Sequence, residues 1–306
     1  MSFQKLQGIV PPMVTPLLDR DVLDAAGLEK LVEHILSGGV SGLFILGTTG
    51  EGPSLSYRLR REVIDRVCRQ VKCRVPVLVS VTDTAFVESV QLAKYAADAG
   101  ASAVVVAPPY YLPEGQPELR EYLEHLVPEL PLPLFLYNMP SLTKVFIEPE
   151  TVRDALNDPR IVGFKDSSGN LEYFSRVVQL AKQRPDWSVL IGPEEKLAEA
   201  TLAGGNGGVN GGANIYPRLY VELFKAASSG DKERTNELHS LVIRVSDGLY
   251  KIGQHSSAII KGIKCALSVS GLCDDFMAEP FRRFRPAQRA RVEAVVNELN
   301  ALTSRI

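Results

Sequence analysis

The sequence predicts an α/β protein of the (β/α)8 TIM-barrel class with a C-terminal helical extension. Three observations carry that expectation. Eight short apolar runs alternate with stretches of helical period. Nearly all of these runs lack polar alternation, as parallel strands buried on both faces do. Several end in hydroxyl, amine or glycine residues, the residue types that gather at the C-terminal rim of a barrel.

In chain order, the first strand is read between Ile9-Val10 and Met13-Val14. The next stretch repeats apolar residues at Leu28, Leu31, Val32, Ile35 and Leu36, with Asp24 placed to cap the helix and Gly38-Gly39 to end it. Leu43 to Leu46 forms a strand, Val63 to Val71 ends a helix, and Val77 to Val81 is the third strand. Val87, Val90, Leu92, Ala93, Ala96 and Ala97 mark a helix that stops at Gly100. Ala103 to Ala107 and the helix Leu119 to Leu126 follow. Leu134 to Leu136, Ile161 to Phe164, Val189 to Ile191 and Gly208-Val209 complete the strand series. Beyond Pro217 the strand pattern stops, and helical stretches remain over 231–250, 256–270 and 286–302. No Ser- or Pro-rich linker divides the chain. The expected organisation is a barrel over residues 1–228 that carries the catalytic site, with a helical region over 229–306 packed on it.

Composition narrows the function classes. With 45% hydrophobic and 23% charged residues, the 306-residue chain can bury a full core. A formal net charge of −2 gives no support for nucleic acid or an anionic membrane as partner. No apolar stretch approaches a membrane span, and the N-terminus lacks a signal core, so a cytoplasmic location is expected. Cys68, Cys73, Cys265 and Cys273 form no Cys-x-x-Cys and are read as buried free thiols. The four histidines are scattered, so no metal site is expected.

Three strand ends carry chemistry-bearing residues: Gly47-Thr48-Thr49-Gly50-Glu51, Tyr137-Asn138-Met139-Pro140, and Gly163-Phe164-Lys165-Asp166-Ser167-Ser168. Lys165 follows an apolar run, where desolvation disfavours its ammonium form. It is either a lysine that snorkels to solvent or a neutral amine able to attack a carbonyl. Tyr137 is either an amphipathic core residue or a proton carrier beside that amine. The Gly47–Gly50 turn either bonds back to itself or holds a carboxylate on backbone dipoles and hydroxyls. Asp166 reads as a turn or capping residue. Pro108-Pro109-Tyr110-Tyr111 reads as a stiffened loop with aromatics over the barrel mouth, and the glycine-rich stretch from Gly204 to Asn214 as close packing plus one face of the pocket.

GTTGE, YNMP and GFKDSSG, in this order and spacing, resemble the dihydrodipicolinate synthase and N-acetylneuraminate lyase family over most of the chain. The resemblance implies a class I, Schiff-base lyase or aldolase that makes or breaks a 4-hydroxy-2-keto acid, with pyruvate and an aldehyde as partners. It implies an imine on Lys165 in place of any cofactor. Thr48 and Thr49 would contact the keto acid's carboxylate and join a proton relay with Tyr137, with Gly47 of the same turn also binding substrate. By the same resemblance Tyr111 reaches a neighbouring subunit's site, in a homo-oligomer built as a dimer of dimers. Gly192, Glu194, Glu195 and Gly211 would read the distal part of the substrate. One departure stands out. Synthases of this family follow Tyr-Asn-x-Pro with a small residue and then an arginine that binds the second substrate's carboxylate; this chain has Leu142 there, with Lys144 two residues on. The expectation is therefore an aldolase, with the lysine-pathway synthase and a deoxy sugar-acid dehydratase as alternatives using the same imine. A non-catalytic keto-acid-binding barrel is the alternative from another class.

Overall fold

The computed structural model describes residues 3–304 and 306. Eight parallel strands run around one sheet in the order β1, β10, β9, β8, β7, β6, β5, β4. These are β1 (Gly8–Ile9), β4 (Leu43–Ile45), β5 (Val77–Ser80), β6 (Ala103–Val106), β7 (Leu134–Asn138), β8 (Ile161–Asp166), β9 (Ser188–Ile191) and β10 (Gly207–Gly208). The first and last of the series meet: Pro12 bridges Phe44 in parallel, with the Met13 amide 2.8 Å from the Phe44 carbonyl. The ring is thereby closed into a barrel. The strand expectations hold in number and order, but the first strand is shorter than read: it ends at Ile9, Pro11 and Pro12 supply no amides to a ladder, and Met13-Val14 lie beyond it. An antiparallel hairpin, β2 (Leu17–Asp19) with β3 (Val22–Leu23), was not anticipated; its strands are too short to display a period.

The helices form the outer layer. Asp24 accepts the Gly27 amide at 2.8 Å and caps α1 (Ala25–Ser37), which ends at Gly38 as expected. The others between strands are α2 (Tyr57–Val71), α3 (Phe86–Asp98), α4 (Gln116–Glu129), the short α5 (Pro140–Thr143), α6 (Pro149–Ala155), α7 (Leu171–Ala181) and α8 (Leu197–Leu202). After β10 come α9 (Pro217–Ser229), α10 (Lys232–Tyr250), α11 (Ala258–Val269) and α12 (Pro286–Thr303). The last three correspond to the three helical stretches read from the sequence. Cys68, Cys265 and Cys273 are buried as expected, but Cys73 is exposed, because it lies in the turn just beyond the end of α2.

Two apolar cores result. One fills the barrel with Val10, Phe44, Leu78, Val105, Phe135, Tyr137 and Leu190 among its members; the other lies between sheet and helices. Alternate residues of β6 and β7 divide between them, as strand geometry requires. β8 does not alternate cleanly. Its pairing with β7 steps from Leu134–Ile161 to Phe135–Gly163, so Val162 is an extra, bulged residue. From there the register runs Tyr137 to Lys165 and Asn138 to Asp166. That step puts Lys165 on the same inward face as Tyr137, where an uninterrupted alternation from Val162 would have turned it outward. Gly163 is needed at the bulge, because a Cβ there would lie 2.2 Å from the Phe135 ring.

Candidate active site

The C-terminal ends of β4, β7, β8 and β9 supply the site. Lys165 is 6% exposed, and its amine lies 3.9 Å from the Tyr137 ring centroid and 4.8 Å from that of Phe44. Burial drives the Lys165 pKa below that of an ordinary lysine, with Tyr137 opposing the shift. For Tyr137, burial alone would raise the phenol's pKa. The Lys165 charge, with hydrogen bonds from Thr48, Ser167 and Lys165, outweighs it and holds the phenol below its usual value. The Tyr137 and Thr48 hydroxyls are 3.3 Å apart. Phe44 and Tyr137 meet edge to face with centroids 6.3 Å apart.

The Gly47–Gly50 turn follows β4 directly. Among the described residues, the backbone amides of Thr48 and Thr49 donate to no backbone carbonyl. They and the two hydroxyls form a small polar rim beside the amine, suited to an anion.

Behind the amine the strand ends are tied together. Asp166 is fully buried and accepts from Asn138 Nδ2 at 2.8 Å, the Ser168 amide at 3.0 Å and the Ser168 hydroxyl at 2.9 Å. It is a turn residue, as read from the sequence. The Ser167 amide donates to the Asn138 carbonyl at 2.8 Å, and the Gly192 amide to the Asp166 carbonyl at 2.7 Å. A Cβ on Gly192 would lie 2.1 Å from Ser167 Oγ, so only glycine leaves that hydroxyl room beside Tyr137.

Farther along the rim, Glu194 is buried, and its carboxylate accepts from Tyr220 Oη, the Gly212 amide at 2.9 Å and Tyr250 Oη at 2.9 Å. Burial pushes Glu194 up to about 7 against these donors, with nearby Glu195 adding to the rise. Gly211 faces Ile263 and Tyr250. A carboxyl whose folded pKa is raised stabilises the protein at low pH and loses that contribution as pH rises through the folded value. Glu194→Gln is therefore expected to flatten the fall in Tm between about pH 5 and pH 7.5. Thermal melts across that range check it; an unchanged slope shows that Glu194 does not titrate there.

The structure thus brings together Lys165, Tyr137, Thr48, Thr49, Gly47 and Gly192. Leu142 stands on α5, just after β7, and is 46% exposed. The Lys144 ammonium donates to the Ser141 carbonyl at 2.7 Å. Tyr111 is 82% exposed and is not brought to these groups within its own chain. Two contributors were not singled out from the sequence. Phe44 reads like any strand residue, and Ser167, two residues after Lys165, carries no local signal that sets it apart from its neighbour Ser168. Among the described residues, no group of three or more His, Cys, Asp or Glu could hold a metal ion, and no helix is long and apolar enough to cross a membrane.

A buried amine at a barrel rim, lying against a phenol hydrogen-bonded to a threonine, is an arrangement suited to imine chemistry. The chain belongs to the dihydrodipicolinate synthetase family, whose sequence model matches residues 5–299. It is 31% identical over 306 residues to 4-hydroxy-tetrahydrodipicolinate synthase of Methanopyrus kandleri, covering 99% of both chains. It is 32% identical over 244 residues to the "Probable 2-dehydro-3-deoxy-D-pentonate aldolase" of Escherichia coli, covering 79% of this chain and 81% of that one. The solved structure of dihydrodipicolinate synthase from Bacteroides thetaiotaomicron is similar with a TM-score of 0.94 and 54% identity, over 96% of this chain and 99% of that chain. The chain is accordingly a pyruvate-dependent lyase of the aldolase type.

Proposed function

We propose that this protein cleaves or forms a 4-hydroxy-2-keto acid through an imine on Lys165, with pyruvate as one partner and an aldehyde as the other. The observation that carries this reading is the Lys165 amine, buried and held 3.9 Å from the centre of the Tyr137 ring, whose phenol meets Thr48. The keto acid's carboxylate sits on the Thr48–Thr49 turn and its carbonyl carbon faces Nζ. The neutral amine adds to C2, and Tyr137 protonates the resulting hydroxyl so that water leaves and the iminium forms. In cleavage the 4-hydroxyl loses its proton, the C3–C4 bond breaks, and its electrons enter the iminium as an enamine. Protonation at C3 and hydrolysis then release pyruvate and regenerate Lys165. Incubation with pyruvate and borohydride, followed by peptide mass mapping, is expected to place the reduced adduct on Lys165. An adduct elsewhere overturns the assignment.

A second reading, the synthase, is favoured by the 54% identity to the Bacteroides thetaiotaomicron enzyme. Leu142, and the engagement of Lys144 with the Ser141 carbonyl, argue for the aldolase. A charge-assisted hydrogen bond to a substrate carboxylate contributes roughly 1.5–3 kcal/mol, and leucine supplies none. We expect condensation of pyruvate with aspartate semialdehyde to run about tenfold or more below cleavage of the preferred 4-hydroxy-2-keto acid, and Leu142→Arg to raise it. Steady-state kcat/KM for both reactions decides. Efficient condensation by the unaltered protein would assign it to the synthase branch.

Assembly as a dimer of dimers, with Tyr111 completing a neighbour's pocket, belongs to the same reading. Its motivation is the exposure of Tyr111 together with the adjacent Leu112, 76% exposed.

A further inference from the structure

The pocket lies in the barrel, yet its carboxylate-receiving turn is held from outside. Glu51, the last residue of the Gly47-Thr48-Thr49-Gly50-Glu51 run, is buried. One carboxylate oxygen lies 2.6 Å from Nζ of Lys264 on α11, and the other accepts the Ala278 amide at 2.8 Å. The Lys264 side chain is 0% exposed. Both ends of the turn sit in the left-handed region, Leu46 at φ 60° and Glu51 at φ 55°. Non-glycine residues adopt that backbone at a cost and keep it only where their surroundings hold them there. Thr15 adds one more tie, its hydroxyl donating to the Gly50 carbonyl at 2.7 Å.

An enclosed ion pair is a poor source of net stability, because removing both charges from water offsets most of their attraction. A full charge pair at this place therefore calls for another account. We propose that Glu51 and Lys264 form a positioning device through which the C-terminal helices hold Thr48 and Thr49 in the geometry that receives the keto acid's carboxylate. Neither charge touches the substrate. Lys264 is enclosed and paired, so it is no second imine-forming amine. The pair acts through the backbone of the turn, where a displacement of about 1 Å is enough to lose a large factor in reactivity.

This inference rests on the pocket being a keto-acid site, and the test separates the two. Glu51→Gln, Lys264→Met and the double variant are compared by borohydride trapping on Lys165 against pyruvate concentration, and by hydrogen exchange over residues 46–52. Each single variant leaves an unpaired buried charge and can fail to fold; the double variant removes both charges at similar volume. The folded double variant is expected to need about tenfold more pyruvate for half-maximal trapping, with much less change in turnover at saturation and faster exchange in the turn. A folded double variant with unaltered half-saturation and exchange overturns the proposal, as does loss of folding in all three, which assigns the pair to stability alone. If the unaltered protein traps no pyruvate on Lys165, the keto-acid reading fails instead, and the exchange data still report whether the pair holds the turn.

Discussion

Lys165→Met is expected to fold, to lose lyase turnover by about 10⁴ or more, and to take no reduced pyruvate adduct; losses of that order follow removal of a covalent nucleophile. Methionine keeps the length and apolar stem but has no nitrogen, so the imine and its electron sink disappear together. The surroundings favour folding of the variant, since Phe44 and Tyr137 already offer the amine two aromatic faces. They also fix the sign of a stability effect. Burial lowers the Lys165 pKa, so between its folded and its ordinary value the unfolded chain binds more protons than the folded chain. The native lysine thus costs stability below the ordinary lysine pKa, and the cost shrinks as pH rises towards it. Lys165→Met should therefore melt no lower than the unaltered protein at neutral pH, with any advantage fading under alkaline conditions. Differential scanning calorimetry over pH 6–10 checks the second half, and the trapping assay checks the first. Residual turnover within about tenfold of the unaltered enzyme would move the chemistry to another group.

How far the sequence reaches is visible at particular residues. The eight strands were legible because burial on both faces leaves short apolar runs, and α1 was legible to its caps, since Asp24 and Gly38 act through neighbours a few positions away. Lys165, Tyr137 and Thr48 stood out because each follows such a run, and the barrel's single rim brings strand ends together. The bulge at Val162 was not legible. It depends on which residue of β7 opposes which residue of β8, and no local pattern encodes that register. Yet it decides whether Lys165 faces the pocket. The eighth barrel helix, α9, was not legible: it starts at Pro217, beyond the two-glycine strand β10, where the strand pattern simply stops, and the helical stretches are read only from 231. The ties of Tyr250 to Glu194 and of Lys264 to Glu51 span 56 and 213 residues, distances over which a sequence shows nothing but two polar side chains.

Tyr137→Phe tests the proton relay with little change of shape. Phenylalanine preserves the ring that meets Phe44 edge to face and the face beneath the Lys165 amine, so the variant removes a hydroxyl and little else. We expect kcat to fall by about 10² or more, the usual scale for losing a positioned acid–base group. Carbinolamine dehydration and carbon–carbon cleavage each need a proton moved at the reacting atoms, and Thr48, left without its partner 3.3 Å away, titrates far too high to replace the phenol. The pH profile distinguishes this from a packing effect. Tyr137 is the group that opposes the lowering of the Lys165 pKa, so its loss leaves desolvation unopposed and lowers that pKa further. The rising limb of the rate profile, which follows the neutral amine, should therefore move to lower pH even as its plateau drops. Borohydride should still trap pyruvate on Lys165 in the variant, but slowly, because imine formation has lost its acid. A near-normal kcat with an unshifted limb and an unaltered circular dichroism spectrum would return Tyr137 to the barrel core as a packing residue, and leave Ser167 as a further hydroxyl to test in its place.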